Sequence, residues 1–249
     1  MPVVSFRLSL DRCTAKPLFA RSWALVGALI LVLALALPTA ATAQDGARDF
    51  SPAEKLLFMT RQLGNLKPPT TLNYSFRKTG TLEAGFEDRV VLALKAAADG
   101  RCCAVHTDFL TAAQRMVLPD VPAADSNPVI LHFLEREVRE MQRLTKGSQL
   151  HFRKRIRMAM FNAATVRDLS LRYLGRAVPA KEIRITPYLE DPNRPRYEKL
   201  AVKEYRFLLS DAVPGGLFGI RAQINAADSS APALLIEELY LEGAEPASL

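Results

Sequence analysis

The chain has 249 residues, 49% of them hydrophobic and 24% charged, with 33 basic against 26 acidic side chains and a net charge of +7. That balance excludes an intrinsically disordered chain, a collagen-like repeat and a polytopic membrane protein. Three cysteines, three histidines and one tryptophan leave little raw material for a metal or haem centre.

Residues 1–43 read as a secretory leader. Arg7, Arg12, Lys16 and Arg21 make a basic start, Trp23 to Leu37 is an uncharged apolar run, and Pro38 breaks it. Ala41-Thr42-Ala43 then offers a small-x-small cleavage site before Gln44. The fifteen-residue run spans ~22 Å as a helix, short of the ~30 Å hydrocarbon core of a bilayer. Cleavage after Ala43 and a periplasmic destination are expected, with no stable transmembrane anchor. The mature chain, 44–249, keeps 29 basic and 25 acidic residues, a mild surplus that does not mark a nucleic-acid binder. It is expected to form one β-rich domain.

Ser51-Pro52-Ala53-Glu54 is a capping box with proline at the first helical position. It predicts a helix running to Gly64, with Leu56, Leu57, Thr60 and Leu63 near one face. Lys67-Pro68-Pro69 forces an extended exit. From Thr70 the apolar period becomes two. Leu72, Tyr74 and Phe76 form one strand face, and Val90, Leu92 and Leu94 the next. Asp99-Gly100 signals a hairpin turn, followed by strands over 101–109 and 114–118.

A second helix is predicted over 128–146, capped by Asn127 with Pro128 at its first position. Leu131, Leu134, Val138 and Met141 mark its apolar stripe, widened by Ile130, Phe133 and Leu144. Glu135 with Arg139, and Arg136 with Glu140, are spaced for intrahelical ion pairs, so Glu135, Glu137 and Glu140 read as a solvated face. Residues 150–160 read as a strand, with Phe152, Ile156, Met158 and Met160 opposite His151, Arg153, Arg155 and Arg157. Further strands are expected around 169–173, 183–185, 205–209, 218–224 and 233–241, with a proline-rich loop at 187–197 and turns at Pro214-Gly215-Gly216 and 228–232. The count is nine or ten strands and two helices. The fold class is α+β, mostly β: a curved, half-barrel-like antiparallel sheet packed on an amphipathic helix, plus an N-terminal helix.

No phosphate loop, nucleophile elbow or zinc-protease motif occurs, and no catalytic residue, cofactor or metal is assigned. Cys102 and Cys103, adjacent on a strand, face opposite ways. They stand as separate packed thiols, as a vicinal disulfide, or as a redox pair. His106 shares a strand face with Cys102 but lies ~13 Å along it, too far for one metal. The three histidines therefore read as structural or surface residues. Arg153, Arg155 and Arg157 at ~6.6 Å spacing form a basic stripe that either keeps an exposed strand soluble or contacts an anionic ligand or partner.

Leader, capped helix, meander, proline-initiated helix and second meander follow one another in an order that resembles the periplasmic half-barrel carriers of the LolA/LolB lipoprotein-localisation type. The segments FRKTGTLEAGFEDRV, NPVILHFLEREVREMQRL and LSDAVPGGLF also resemble stretches of uncharacterised bacterial periplasmic proteins. The carrier resemblance implies a curved antiparallel sheet with helices on its concave side. The expected function is a non-catalytic one: binding a lipid, an acyl chain or an apolar protein segment in a cleft between sheet and helix. The alternatives are an envelope scaffold or assembly factor binding another protein, and a thiol redox or enzymatic role for Cys102 and Cys103.

Overall fold

The computed structural model describes residues 49–98, 102–228 and 230–246. The leader and the Asp99-Gly100 turn lie outside these residues. Eight strands form one antiparallel sheet: β1 (Thr70–Thr79), β2 (Phe86–Ala96), β3 (Cys102–Phe109), β4 (Thr165–Tyr173), β5 (Arg176–Ile185), β6 (Glu204–Leu209), β7 (Leu217–Ile224) and β8 (Leu235–Leu241). Their order is β3-β2-β1-β8-β7-β6-β5-β4, so two meanders meet where β8 pairs with β1. The sheet is curved and unclosed. Its curvature carries the end of β4 back to the residues after β8, where Tyr173 bridges Ala244.

Period-two burial is clear in β1 and β2, as the sequence dictates. In β1, Leu72, Tyr74 and Phe76 are buried between exposed neighbours, and in β2 Val90, Leu92 and Leu94 are buried with half-buried Val91 and Ala93 between them. Tyr205, Phe207, Ile220, Leu235 and Leu239 continue this apolar floor. The outer face of β5–β8 carries ion pairs instead, among them Arg206 with Glu204 and Arg221 with Glu238.

The floor is covered by two helices, α2 (Val129–Thr145) and α3 (Gln149–Asn162), preceded by a short turn α1 (Pro52–Glu54). Asn127 positions α2. Its side-chain oxygen accepts from the Val129 amide at 3.1 Å, and its side-chain nitrogen donates to the Tyr74 hydroxyl and the Gly215 carbonyl, both at 2.9 Å. One buried amide thus caps the helix and ties it to β1 and to the turn before β7. Gly215 takes φ +71°, and a Cβ there would come within 2.5 Å of Leu72. Lys146 closes α2 in the left-handed region at φ 58°.

Three expectations are corrected. The N-terminal helix is present but ends at Met59 instead of Gly64. The capping box forms, with the Glu54 amide on the Ser51 hydroxyl at 3.2 Å and the Ser51 amide on the Glu54 carboxylate at 2.9 Å. After Glu54 the turn widens, with the Thr60 amide on the Lys55 carbonyl, and Thr60 is already extended. Residues 114–118 form no strand, only a bridge from Met116 to Phe109. Residues 150–160 are helical, within α3. Phe152, Ile156, Ala159 and Met160 point inward at helical spacing and are buried. A segment with charges at alternate positions fits both periods, and packing against α2 selects the helix. The last two corrections bring the nine or ten expected strands to the eight observed.

Candidate functional site

α2 and α3 are joined by three residues and fold back on each other as a helical hairpin. Gln149 donates to Gln142 at 2.5 Å, and Arg153 to Glu135 at 2.7 Å. Along their outer seam the two helices leave an apolar cavity of about 260 Å³. Leu131, Leu134 and Val138 form its α2 wall, Ile156 and Met160 its α3 wall, and Phe58 its third side. The N-terminal segment is held there by Ser51, whose hydroxyl donates to the Met160 carbonyl at 2.9 Å. Leu131 sits at the mouth, 54% exposed. The stripe Leu131–Leu134–Val138 was legible as one apolar face, but it lines a groove at the seam instead of facing the sheet.

The face of α2 that meets the sheet is centred on Ile130, Phe133, Glu137 and Met141, all at most 0% exposed. Arg136 and Glu137 are therefore buried, with Lys203 at the start of β6 and Glu237 on β8. Arg136 reaches Glu137 at 2.9 Å and Glu237 at 2.8 Å; Lys203 contacts Glu137 and lies 3.2 Å from Glu237. Two cations and two anions balance in an interior where an unpaired charge is very costly. Burial pushes the Glu137 carboxyl up, to about 7. Burial opposes ionisation of Glu237 too, but Lys203 and Arg136 outweigh it and hold that carboxyl down. The expectation of a solvated acidic face thus holds for Glu135 and Glu140, which pair with arginines near the surface, and fails for Glu137. Glu237 shares strand parity with Leu235, Leu239 and Leu241. A carboxylate on an inward face was the one sequence signal of this quartet. Shut off from solvent, the quartet pins α2 in register on the sheet.

The basic stripe is dispersed by the helical geometry. At 3.6 residues per turn, positions 153 and 157 share a side and 155 faces away. Arg153 pairs with Glu135. Arg155 turns to the Pro187 carbonyl at 3.2 Å and the buried Asp191 at 3.3 Å. Arg157 stays at the groove, exposed and without an ion pair among the described residues. The three do not form one row.

Cys102 and Cys103 stand side by side at the start of β3 with their sulfurs adjacent, and Cys103 is wholly buried. The pair lies on the edge strand beside Leu63 and Ala124, whose backbone pairs with Cys103. Each histidine has a local structural role. His106 lies 2.6 Å from Asp120, whose hydrogen bond raises its pKa. His132 packs edge-on to Phe109, and burial lowers its pKa to about 4. His151 lies 2.7 Å from Asp191, fastening α3 to the proline-rich loop. Among the described residues no helix is long and apolar enough to cross a membrane.

No protein-family model and no curated protein matches the chain. Among solved structures it is similar to the Mycobacterium tuberculosis lipoprotein LppX, at 9% identity and TM-score 0.34, over 80% of this chain and 99% of that one. It is also similar to MucB, at 16% identity and TM-score 0.33, over 79% of this chain and 60% of that one. The MucA/MucB complex of Pseudomonas aeruginosa matches at 15% identity and TM-score 0.29, over 80% of this chain and 59% of that one.

Proposed function

We propose that this chain is a non-catalytic binding protein of the periplasm that takes an apolar segment into the groove between α2 and α3. The segment is an acyl chain or a set of apolar side chains of another protein. The observation that carries this reading is the groove itself: an open, apolar cavity of about 260 Å³ whose walls come from three separate elements. The space under the sheet is filled by the quartet and by buried rings such as Phe133, Phe152, Tyr188 and Tyr205. Binding therefore belongs at the helical seam, not between sheet and helix. A cavity just under the ~300–1,000 Å³ of whole small-molecule sites suits part of a larger molecule.

Titration with the neutral apolar dye Nile red tests the groove. Binding should be saturable near one site, and Val138→Phe, which fills the cavity, should abolish it. Leu131→Asp, at the exposed mouth, should weaken it without disturbing the fold. Dye binding unchanged in both variants would remove the groove as the site.

A further inference from the structure

Resting on the reading that the groove takes an apolar segment, we propose that its occupant is an acidic amphipathic helix of a partner protein. That helix lies along the outer face of α3, with its carboxylates on Lys154 and Arg157.

Three observations on α3 carry this. First, its outward face is not the polar face of an ordinary surface helix. Leu150 is 75% exposed, Met158 38% and Phe161 47%, and Lys154 and Arg157 stand between them. From Leu150 to Phe161 the stripe runs ~16 Å, about three helical turns. That exceeds the ~10.5 Å over which a docked helix places anchors at i, i+3 or i+4, and i+7.

Second, the apolar cavity adjoins a second, more polar groove of about 530 Å³, bordered by Phe50, Met158 and Phe161 and by Asp49 and Asn162. Arg157 and Glu54 line both cavities and sit where they meet. A single acyl chain in the smaller cavity would leave Phe50, 49% exposed, and Phe161 in water. A flat bilayer would lie over the concave seam without filling it. Side chains projecting from a helix fill both cavities and cover the rims between them.

Third, the acids at the junction are engaged elsewhere: Asp49, which also lines the second groove, lies 3.8 Å from Lys55. Arg153 and Arg155, the other arginines of α3's stripe, are matched by Glu135 and Asp191. Glu54 directs its carboxylate to the Ser51 amide at 2.9 Å. Lys154 and Arg157 are exposed and have no ion pair among the described residues. Two cations without an ion pair among the described residues, set between the exposed side chains of Leu150, Met158 and Phe161, complement a helix whose acidic positions flank its apolar anchors.

A phage-displayed library of amphipathic 18-residue helices tests this, with apolar residues fixed at anchor spacing and Glu, Lys or Gln varied elsewhere. Selection on the exported protein should enrich acidic sequences. Their affinity should fall at least tenfold in Lys154→Glu/Arg157→Glu, and should weaken with added salt. Both positions are on the surface, so an unchanged thermal melt confirms that the double variant folds. Enriched helices with no acidic bias, or with affinity indifferent to the double reversal, would overturn the proposal. If Val138→Phe still abolished their binding, the apolar-groove reading would stand without it. No enrichment at all would also overturn it. So would charge-dependent binding to phosphatidylglycerol–phosphatidylcholine vesicles in place of peptides, which would give the face to a bilayer.

Discussion

Glu137 shows how one residue can reverse the reading of a helix. By local spacing it belongs to a charged outer face; in the structure it is 0% exposed and held by Lys203 and Arg136. Removing one member of a buried ion network leaves its partners uncompensated, at a cost of ~3–5 kcal/mol. Glu137→Ala should therefore destabilise by that amount, whereas Glu135→Ala, at the surface with Arg153 and Arg139, should cost ~1 kcal/mol or less. Urea titration of both variants checks this, and equal midpoints would contradict the buried quartet. His132 supplies a pH dependence of known sign. Burial lowers its pKa from the ordinary 6.5 to about 4. The unfolded chain then binds the proton first, so the contribution is complete above pH 6.5 and is lost as pH falls through 4. The difference amounts to ~3 kcal/mol. His132→Phe should lose less stability than the native chain between pH 7 and pH 4 in the same titration. Neither the quartet nor the burial of His132 could be read from neighbours in sequence, because their surroundings are supplied by strands far along the chain.

At the scale of elements, strands were the more legible part. Alternation is unambiguous in β1 and β2, where one face lies on the floor and the other is open or half-buried, whereas β6 and β7 are buried at nearly every position. α2 was legible by its cap at Asn127 and its apolar spacing, but its phase was not. Two apolar faces lie side by side, one for the sheet and one for α3. α3 was misread because Phe152, Ile156, Met158 and Met160 alternate with charges, while the helical signal rests on the less conspicuous Ala159. Truncation separates the two readings. Phe152→Ala should cost ~3–5 kcal/mol. Met158→Ala, which a strand would bury beside Phe152, should cost little, since Met158 is 38% exposed. Similar losses at both positions would restore the strand. In β3 the sulfurs of Cys102 and Cys103 are adjacent; we propose that they form a vicinal disulfide, which should give no free thiol in denatured protein and two after reduction. Two free thiols without reduction would return them to separate packed residues.

For the whole molecule, the curved open sheet and its helical cover follow from the order of elements, and the half-barrel expectation matches the eight-stranded sheet. What the order could not show is where space remains. The expected cleft between sheet and helix is occupied by aromatic side chains and the charge quartet, and the free apolar surface has moved outward to the α2/α3 seam. Only the packing of the α2–α3 hairpin against the segment around Phe58, distant in sequence, defines that groove. Export remains a proposal resting on residues 1–43, and N-terminal sequencing of the protein recovered from the periplasm should begin at Gln44. The central claim is that the seam holds an apolar segment in the cell. Native mass spectrometry of the protein purified from its own host's periplasm tests it most directly. The account expects a defined bound mass, peptide or acyl-bearing, on the native protein and none on Val138→Phe. The same mass on both proteins, or none on the native one, would contradict it.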